Sequence, residues 1–154
     1  MSKEIERKFL VKSDAWREIA KSELYRQGYL SAAIERTVRI RTVGDNGFIT
    51  IKGACNGISR TEFEYAIPAE DASEMLDTLC LKPLIEKLRY RISHKHHVWE
   101  VDEFLGENAG LVVAEVELMD AQEQIDLPPW IGMEVSDDAR YFNSNLVLHP
   151  YKRW

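Results

Sequence analysis

Charged and apolar residues alternate along residues 4–11 of this sequence. Side chains in a β-strand switch faces at every residue, so a strand here would place Glu4, Glu6 and Lys8 on one face and mostly apolar residues on the other. The two carboxylates would lie about 7 Å apart and repel each other, which folding alone does not require. Such a face suits a ligand that is both cationic and anionic, and a metal-bound phosphate chain has this character.

The same alternation recurs in six later segments of the chain. The charged faces of these seven predicted strands carry eight acids (Glu4, Glu6, Glu62, Glu64, Glu100, Asp102, Glu115, Glu117) and eight bases (Lys8, Arg39, Arg41, Lys52, Arg60, Lys87, Arg89, Arg91). Six of the strands carry two like charges two residues apart, whereas a sheet built for solubility alone would intersperse the signs. The pattern therefore favours one wall for cations and another for anions over a solvated face with cross-strand ion pairs.

Length and composition are those of a single folded unit. The chain has 154 residues and a net charge of −6. A chain of this length is expected to form one domain, residues 1–154, that buries roughly 70% of its unfolded surface. The acidic balance argues against a general nucleic-acid binder, although basic residues that converge locally could still bind phosphate.

The sequence carries no export or membrane-insertion signal. Cys55 and Cys80 lie far apart without metal-ligand spacing, so we expect a loop residue and a helix-face residue in a reducing compartment. The chain is charged from Lys3 onward, and no stretch approaches the roughly 18 apolar residues that cross a bilayer. We therefore expect a cytoplasmic protein with no membrane partner.

Turn and helix signals divide the rest of the chain. Residues 23–31 predict an eighth strand, and the Gly-Asp-Asn-Gly run at 44–47 predicts a hairpin turn. Helices are predicted over residues 13–20, 69–80, 120–126 and 137–148. His94, His96 and His97 are metal-ligand residue types, but they lie between two strands without a matching cluster, so a turn is the favoured interpretation.

An antiparallel sheet with one charged face can be stable in two ways. It can stay open with its charges in water, or it can close and place the charges in a polar interior. Closure removes exposed strand edges and concentrates the electric field. The strand count and the segregation of signs favour closure. The expected fold is mainly β (α+β), an eight-stranded closed antiparallel β-barrel with a charged interior and a few flanking helices.

Taken in order, the charged strands resemble the CYTH superfamily, also called the triphosphate tunnel metalloenzymes. Glu4-x-Glu6-x-Lys8 matches the motif that defines the family. The blocks that follow are Arg39-x-Arg41, Lys52, Glu62-x-Glu64, Lys87-x-Arg89, Asp102 and Glu115-x-Glu117. The resemblance spans essentially the whole chain and is strongest to the short bacterial inorganic triphosphatases. It implies an eight-stranded tunnel, hydrolysis of a triphosphate and dependence on Mg²⁺ or Mn²⁺.

The resemblance assigns roles to individual residues, and physical chemistry agrees with most of them. Arg and Lys bind polyphosphate oxygens, and the substrate-binding set is Lys8, Arg39, Arg41, Lys52, Arg60, Lys87, Arg89 and Arg140. Mg²⁺ takes oxygen ligands, and the metal-binding set is Glu4, Glu6, Glu62, Glu64, Asp102, Glu115 and Glu117. The catalytic set is Glu4, Glu6, Lys87, Glu117 and Tyr29.

Several aromatic and cationic residues keep a structural alternative. Tyr29 aligns with a tunnel tyrosine of the short bacterial members, and a core or rim tyrosine would fit equally well. Arg140 either faces the ligand or pins the C-terminal helix to the barrel. Trp130 and Trp154 are expected to pack in the core or at the rim.

The function implied first is hydrolysis of inorganic tripolyphosphate to pyrophosphate and phosphate. Class IV adenylate cyclases, thiamine triphosphatases and capping-type RNA triphosphatases share the tunnel, and a non-catalytic polyphosphate-binding module is an alternative of another class. No adenine pocket is recognisable in the sequence, and carboxylate pairs would add nothing to phosphate binding without a metal. The expected partners are small polyanions, tripolyphosphate first and nucleoside triphosphates second, with no nucleic acid. A homodimer is left open.

Overall fold

Nine strands and two α-helices form in the computed structural model, which describes residues 3–154. The strands are β1 (Lys3–Val11), β2 (Ser22–Ala33), β3 (Arg36–Val43), β4 (Asn46–Gly53), β5 (Ser59–Ile67), β6 (Ile85–His94), β7 (His97–Phe104), β8 (Val112–Glu117) and β9 (Ile131–Glu134). The helices are α1 (Ala69–Thr78) and α2 (Asn143–Leu148). Short 3₁₀ turns cover Ala15–Glu18, Gly106–Asn108, Ala139–Tyr141 and Tyr151–Arg153. None of the helices described is long and apolar enough to span a bilayer.

Eight of these strands form a closed ring in the order β1-β8-β7-β6-β2-β3-β4-β5, with antiparallel pairing throughout. The ring closes at β1, because residues 3–5 pair with residues 59–61 of β5 while residues 6–10 pair with residues 113–117 of β8. The short strand β9 lies beyond the ring and pairs with the second half of β1. The predicted closed eight-stranded barrel is confirmed, and β9 is a strand that the prediction lacked.

The inner face of the ring separates charge into two walls. Four neighbouring strands, β5, β1, β8 and β7, carry the acids Glu62, Glu64, Glu4, Glu6, Glu115, Glu117, Glu100 and Asp102. On the opposite arc β6, β3 and β4 carry the bases Lys87, Arg89, Arg91, Arg39, Arg41 and Lys52. Lys8 and Arg60 are the basic residues on the acidic arc. Acidic and basic residues, which lie mostly on different strands in the sequence, thus form two different walls of the tunnel, as predicted.

The apolar core lies outside the ring, between the barrel and the elements that cover it. Helix α1 packs Ala72 and Leu76 against Ile40 of β3. The helix comes so close to β4 that a Cβ atom at Gly47 would lie 2.9 Å from the Cβ of Ala72. A glycine is therefore required where the helix crosses the hairpin.

Aromatic side chains fill the core on the other side of the barrel. Trp130 is 3% exposed and packs edge-on against Trp99, with ring centroids 6.2 Å apart. Trp154 is 43% exposed and packs edge-on against Tyr141 in the C-terminal segment. Trp130 is thus a core residue, and Trp154 lies at the surface.

The helix predicted over residues 120–126 is wrong. The segment forms a turn followed by extended chain. Asp120 accepts a hydrogen bond from the Gln122 N–H, and Glu123 accepts one from the Met119 N–H. Both are bonds of the kind that cap the start of a helix, but the chain does not continue into one.

The helix predicted over residues 137–148 is only partly present. Asp138 accepts a hydrogen bond from the Arg140 N–H at the start of the Ala139–Tyr141 turn. Phe142 then adopts extended backbone (φ −70°, ψ 132°) before α2 begins at Asn143. The helix predicted over residues 13–20 likewise contracts to one 3₁₀ turn, while the helix predicted over 69–80 is confirmed as α1 with an earlier end.

Candidate functional site

The interior of the ring holds two adjoining cavities, which share six lining residues. The basic cavity is lined by Lys8, Arg39, Lys52, Arg60, Lys87 and Arg89, with Glu4, Glu6 and Glu115. The acidic cavity is lined by Glu4, Glu6, Glu62, Glu64, Glu100, Glu115 and Glu117, with Arg39, Arg41, Lys52, Arg89 and Arg91. Bases outnumber acids in the first and acids outnumber bases in the second. The tunnel therefore offers an anion site that adjoins a cation site.

Glu6 and Glu117 face each other across the β1–β8 pairing, and Lys8 Nζ lies 3.3 Å from the Glu6 carboxylate. Burial raises the pKa of Glu6 to about 7, and the neighbouring Glu115 adds to this rise. Burial also raises the pKa of Glu117, and the charges of Glu4 and Glu6 add to it. A divalent cation between these carboxylates would remove their repulsion. The donors of the acidic cavity therefore fit a hard metal ion, which prefers oxygen ligands.

Glu4 and Glu115 lie beside this pair and are held by lysines. Lys52 Nζ donates to both carboxylate oxygens of Glu4, at 3.0 and 2.8 Å. Lys8 Nζ donates to Glu115 at 2.7 Å. Burial opposes ionisation of Glu115, but the Lys8 charge and the other nearby cations outweigh it and hold the pKa of Glu115 well below its usual range. Both carboxylates are thus fixed in position.

The second acidic pair, on β5, contacts the opposite wall. Glu62 lies 3.4 Å from Lys52. Glu64 lies 3.8 Å from Arg39 and 3.6 Å from Arg41. Over residues 3–154 no three acidic, histidine or cysteine side chains already converge in the geometry of a metal cluster. A cation would therefore have to draw these carboxylates together.

Arg39 and Arg41 keep hydrogen-bonding capacity that the protein leaves unused. The Nε atoms of both are buried without a partner. Burial lowers the pKa of Arg41 to about 10, and the charges of Arg39 and Arg89 lower it further. Two guanidinium groups with unsatisfied donors, pressed together against their own repulsion, favour an anion between them.

Lys87 and Arg89 share one carboxylate, that of Asp102. Lys87 Nζ lies 2.8 Å from Asp102 Oδ2, and Arg89 donates to both oxygens at 2.7 and 2.9 Å. Asp102 is fully buried and both of its oxygens are used. Its predicted role as a metal ligand does not fit this geometry, because it positions the two cations instead. Burial lowers the pKa of Lys87 to about 8, and the charge of Arg89 works in the same direction.

Replacing Asp102 with asparagine should therefore destabilise the fold. The change leaves the buried Lys87 without its counterion and Arg89 with Glu100 alone, at 3.2 Å, which costs about 3–5 kcal/mol in the free energy of unfolding. The neighbouring Glu103 forms a surface ion pair with Arg17 and provides the matched control, since Glu103→Gln should cost at most about 1 kcal/mol. Urea unfolding measures both. An Asp102→Asn variant as stable as the wild type would show that Asp102 is not a structural counterion.

The remaining predicted residues divide between the tunnel and the surface. Tyr29 is 5% exposed and lines the basic cavity, while also packing in an apolar cluster. Arg60 lines the same cavity and donates from Nε to the Gly53 carbonyl. Arg140 lies outside both cavities, where it pairs with Asp138 at 2.7 Å and lies over the Trp154 ring. Arg140 thus secures the C-terminal segment, and its predicted role in substrate binding does not fit.

Sequence reasoning missed several polar residues that complete the site. Asn143 accepts a hydrogen bond from Lys87, Thr50 bridges Arg39 and Glu64, and Ser136 lines the basic cavity. Thr50 could have been found, because it shares the inner face of its strand with Lys52. Asn143 and Ser136 gave no periodic signal, since Asn143 is the first residue of a short helix and Ser136 lies in a loop, and both reach the tunnel only through the fold.

The histidine run belongs to a hairpin turn, as predicted. β6 ends at His94 and β7 begins at His97, with Lys95 at a positive φ of 58° between them. His97 contacts Glu123, which joins the turn to the loop after β8. The run is therefore structural in the part of the chain described.

Comparisons with known proteins agree with this architecture. A family model described as the CYTH domain matches residues 2–149. An inorganic triphosphatase from Acetivibrio thermocellus is 54% identical over 154 residues, which cover 100% of this chain and 99% of the relative. An inorganic triphosphatase from Nitrosomonas europaea is 38% identical over 149 residues, with 94% of this chain and 97% of the relative covered.

A solved structure shows the same fold. The crystal structure of the inorganic triphosphatase NE1496 superimposes with a TM-score of 0.66 at 35% identity. The match covers 94% of this chain and 97% of that protein.

Proposed function

Because this chain belongs to the CYTH family, we propose that it hydrolyses inorganic tripolyphosphate to pyrophosphate and phosphate. The observation that carries the proposal is the junction of the two cavities, where the paired carboxylates of Glu6 and Glu117 adjoin a wall of cations. A polyphosphate with its metal is anionic along the chain and cationic at one end, so it matches both parts of the tunnel.

The carboxylates that would hold a metal are Glu4, Glu6, Glu115 and Glu117, with Glu62 and Glu64 available for a second ion. The family's triphosphate tunnel enzymes depend on a metal, and we propose Mg²⁺ or Mn²⁺ because both prefer oxygen ligands. A bound divalent ion would polarise phosphoryl oxygens and neutralise charge that develops during transfer. We propose no metal-binding role for Asp102, since its oxygens are occupied by Lys87 and Arg89.

The cations that would bind the substrate are Lys8, Arg39, Arg41, Lys52, Arg60, Lys87 and Arg89. The guanidinium groups suit bidentate contacts to phosphoryl oxygens, and the ammonium groups act as compact charges. These residues hold the polyphosphate extended along the tunnel. Its terminal phosphoryl group then lies beside the carboxylates. Positioning of this kind supplies much of the acceleration in phosphoryl transfer.

Hydrolysis then requires a water in line with the bond that breaks. Oxygen of water attacks the terminal phosphorus, the bond to the pyrophosphate oxygen breaks, and a carboxylate of the acidic wall accepts the proton that the water loses. A carboxylate of the acidic wall would orient that water. Lys87 would neutralise charge on the departing pyrophosphate, and Tyr29, which lines the same cavity, would offer its hydroxyl there.

Nucleoside triphosphates are proposed as weaker substrates than tripolyphosphate. The cavity linings are mostly charged and polar, and Tyr29, Ile58 and Phe142 are the large apolar residues among those described. They give little surface on which a base could stack. The cytoplasmic location and the homodimer stay predictions.

Metal dependence tests the proposal. Phosphate release from tripolyphosphate should require added Mg²⁺ or Mn²⁺, fall to background with excess chelator, and return when the metal is restored. The physical reason is that the clustered carboxylates repel each other and the terminal phosphoryl group until a cation neutralises them. A rate that survives complete chelation would contradict the proposed function.

A further inference from the structure

A buried hydrogen-bond network surrounds the Lys87 ammonium and includes the amide of Asn143. Asn143 is the first residue of α2 and lines the basic cavity. Its Oδ1 accepts from Lys87 Nζ at 2.9 Å and from Gln27 Nε2 at 2.9 Å. Gln27 is 0% and Lys87 1% exposed, so both donors are held in fixed positions.

These two donors determine which way the Asn143 amide faces. An ammonium has three donors and no acceptor, so the atom of Asn143 beside Lys87 must be the carbonyl oxygen. Nδ2 then points away from the network, and it makes no hydrogen bond to any residue of the described chain. Nor is it sealed in the interior, unlike Gln27 Oε1, which is buried without a partner. The two N–H groups of Asn143 are therefore free for a ligand in the basic cavity.

Lys87 has a donor left at the same place. One N–H of its ammonium goes to Asn143 and one to Asp102. The third is unused, so the Lys87 ammonium and the Asn143 amide each keep a donor, and both residues line the basic cavity. Adjacent donors of this kind match two oxygens of one phosphoryl group.

The identity of residue 143 carries further information. A carboxylate at this position would hold the Lys87 ammonium at least as firmly as an amide does, because the hydrogen bond would be charge-assisted. It would also cancel the positive charge that attracts an anion. An asparagine keeps that charge and adds a donor, which favours a role in binding over a role in support alone.

We propose that Asn143 is a substrate-binding residue whose Nδ2 donates to a phosphoryl oxygen beside Lys87, while its Oδ1 holds the Lys87 ammonium. The inference rests on the proposed function, because the ligand is the polyphosphate of that reaction. It places a phosphoryl group of the substrate next to the start of α2.

Binding and kinetics of three variants test this role. Asn143→Ala removes the donor, Asn143→Asp replaces it with a negative oxygen, and Asn46→Asp makes the same charge change at the exposed first residue of β4, outside the tunnel. Affinity for tripolyphosphate is measured by calorimetry in excess chelator, where hydrolysis is off, and KM and kcat are measured with Mg²⁺. Asn143→Ala should weaken binding and raise KM about 10- to 100-fold, the worth of a hydrogen bond to a charged group. Asn143→Asp should lower the affinity and raise KM more than Asn143→Ala does. Asn46→Asp should leave the affinity and KM unchanged.

Asn143→Ser separates binding from support, because its hydroxyl keeps an acceptor for Lys87 but lacks the two amide donors. If Asn143 only held Lys87, Asn143→Ser would bind tripolyphosphate with wild-type affinity, and this result would overturn the inference. Wild-type affinity in Asn143→Ala would overturn it as well. Should the alanine variant unfold, Asn143→Ser, which retains a short acceptor without the amide donors, takes its place with the same expectation. Wild-type protein that neither binds nor hydrolyses tripolyphosphate would instead reject the proposed function.

Discussion

Glu117→Gln is expected to abolish phosphate release from tripolyphosphate while leaving the fold intact. The amide keeps the shape of the side chain but removes the charge that a hard cation needs. Ionised Glu117 is also disfavoured in the fold, since burial and the charges of Glu4 and Glu6 raise its pKa. The variant should therefore unfold at the same temperature as the wild type or a higher one. Turnover is measured as phosphate release with Mg²⁺ and with Mn²⁺, and stability by thermal unfolding.

The control for this variant is Glu70→Gln, the same change at an exposed position in the first turn of α1. It should retain wild-type turnover. A folded Glu117→Gln variant with a near wild-type rate would show that Glu117 is not a metal ligand. A variant that loses both stability and turnover would mean that the carboxylate supports the barrel.

Arg39→Ala and Arg41→Ala are expected to lower kcat/KM for tripolyphosphate about 10- to 100-fold each, and the double variant more. Each guanidinium offers a phosphate hydrogen bonds to charge worth about 1.5–3 kcal/mol. Both are largely buried, and both Nε donors lack a partner in the protein. The dependence on Mg²⁺ concentration should change little, because these residues lie on the basic wall. Steady-state kinetics over a range of substrate and metal concentrations measure both effects.

Arg36→Ala provides the matched control on the same strand. Arg36 is exposed and contacts Glu35 at 3.7 Å, away from the tunnel, so its loss should leave kcat/KM unchanged. Loss of fold in Arg39→Ala or Arg41→Ala, with no effect in the folded fraction, would instead assign both arginines to structural ion pairs with Glu64.

The closed barrel could be predicted from the sequence because charge alternates along strands. The pair Glu115 and Glu117 lies more than 100 residues from Glu4 and Glu6, yet both pairs needed the same inner face. Closure was the arrangement that made them neighbours, and β1 does pair with β8. Periodicity of two is a strong local signal, so it fixes which side chains face inward even when the partner strand is distant.

Roles that depend on a single partner could not be predicted in the same way. Asp102 shares the alternation of the metal-type acids, and only the positions of Lys87 and Arg89 show that its oxygens are taken. Arg140 carries the charge expected of a substrate ligand, but Asp138 two residues away binds it at the surface. The alternation along a strand predicts which face of the sheet a residue occupies. Its role depends on the charged and hydrogen-bonding groups that contact it in the fold.

Irregular chain gave the least information. Residues 120–126 have helical composition, and Asp120 and Glu123 accept hydrogen bonds of the capping type, yet the segment forms a turn followed by irregular chain. β9 covers four residues, too few for a periodic signal, and its pairing with β1 is determined by tertiary contacts. Asn143 reaches Lys87 because the chain breaks at Phe142, which no local propensity indicated.

The most direct measurement compares the products formed from tripolyphosphate, pyrophosphate, ATP and thiamine triphosphate, separated by chromatography, at equal concentrations with Mg²⁺ and with Mn²⁺. Tripolyphosphate should be converted to equal amounts of pyrophosphate and phosphate. The basic cavity holds one end of the polyphosphate, while the carboxylates face its other end. Pyrophosphate should be cleaved poorly, since it is too short to occupy both, and the two substituted triphosphates should react more slowly. Faster cleavage of pyrophosphate than of tripolyphosphate, or efficient formation of cyclic AMP from ATP, would contradict the assignment.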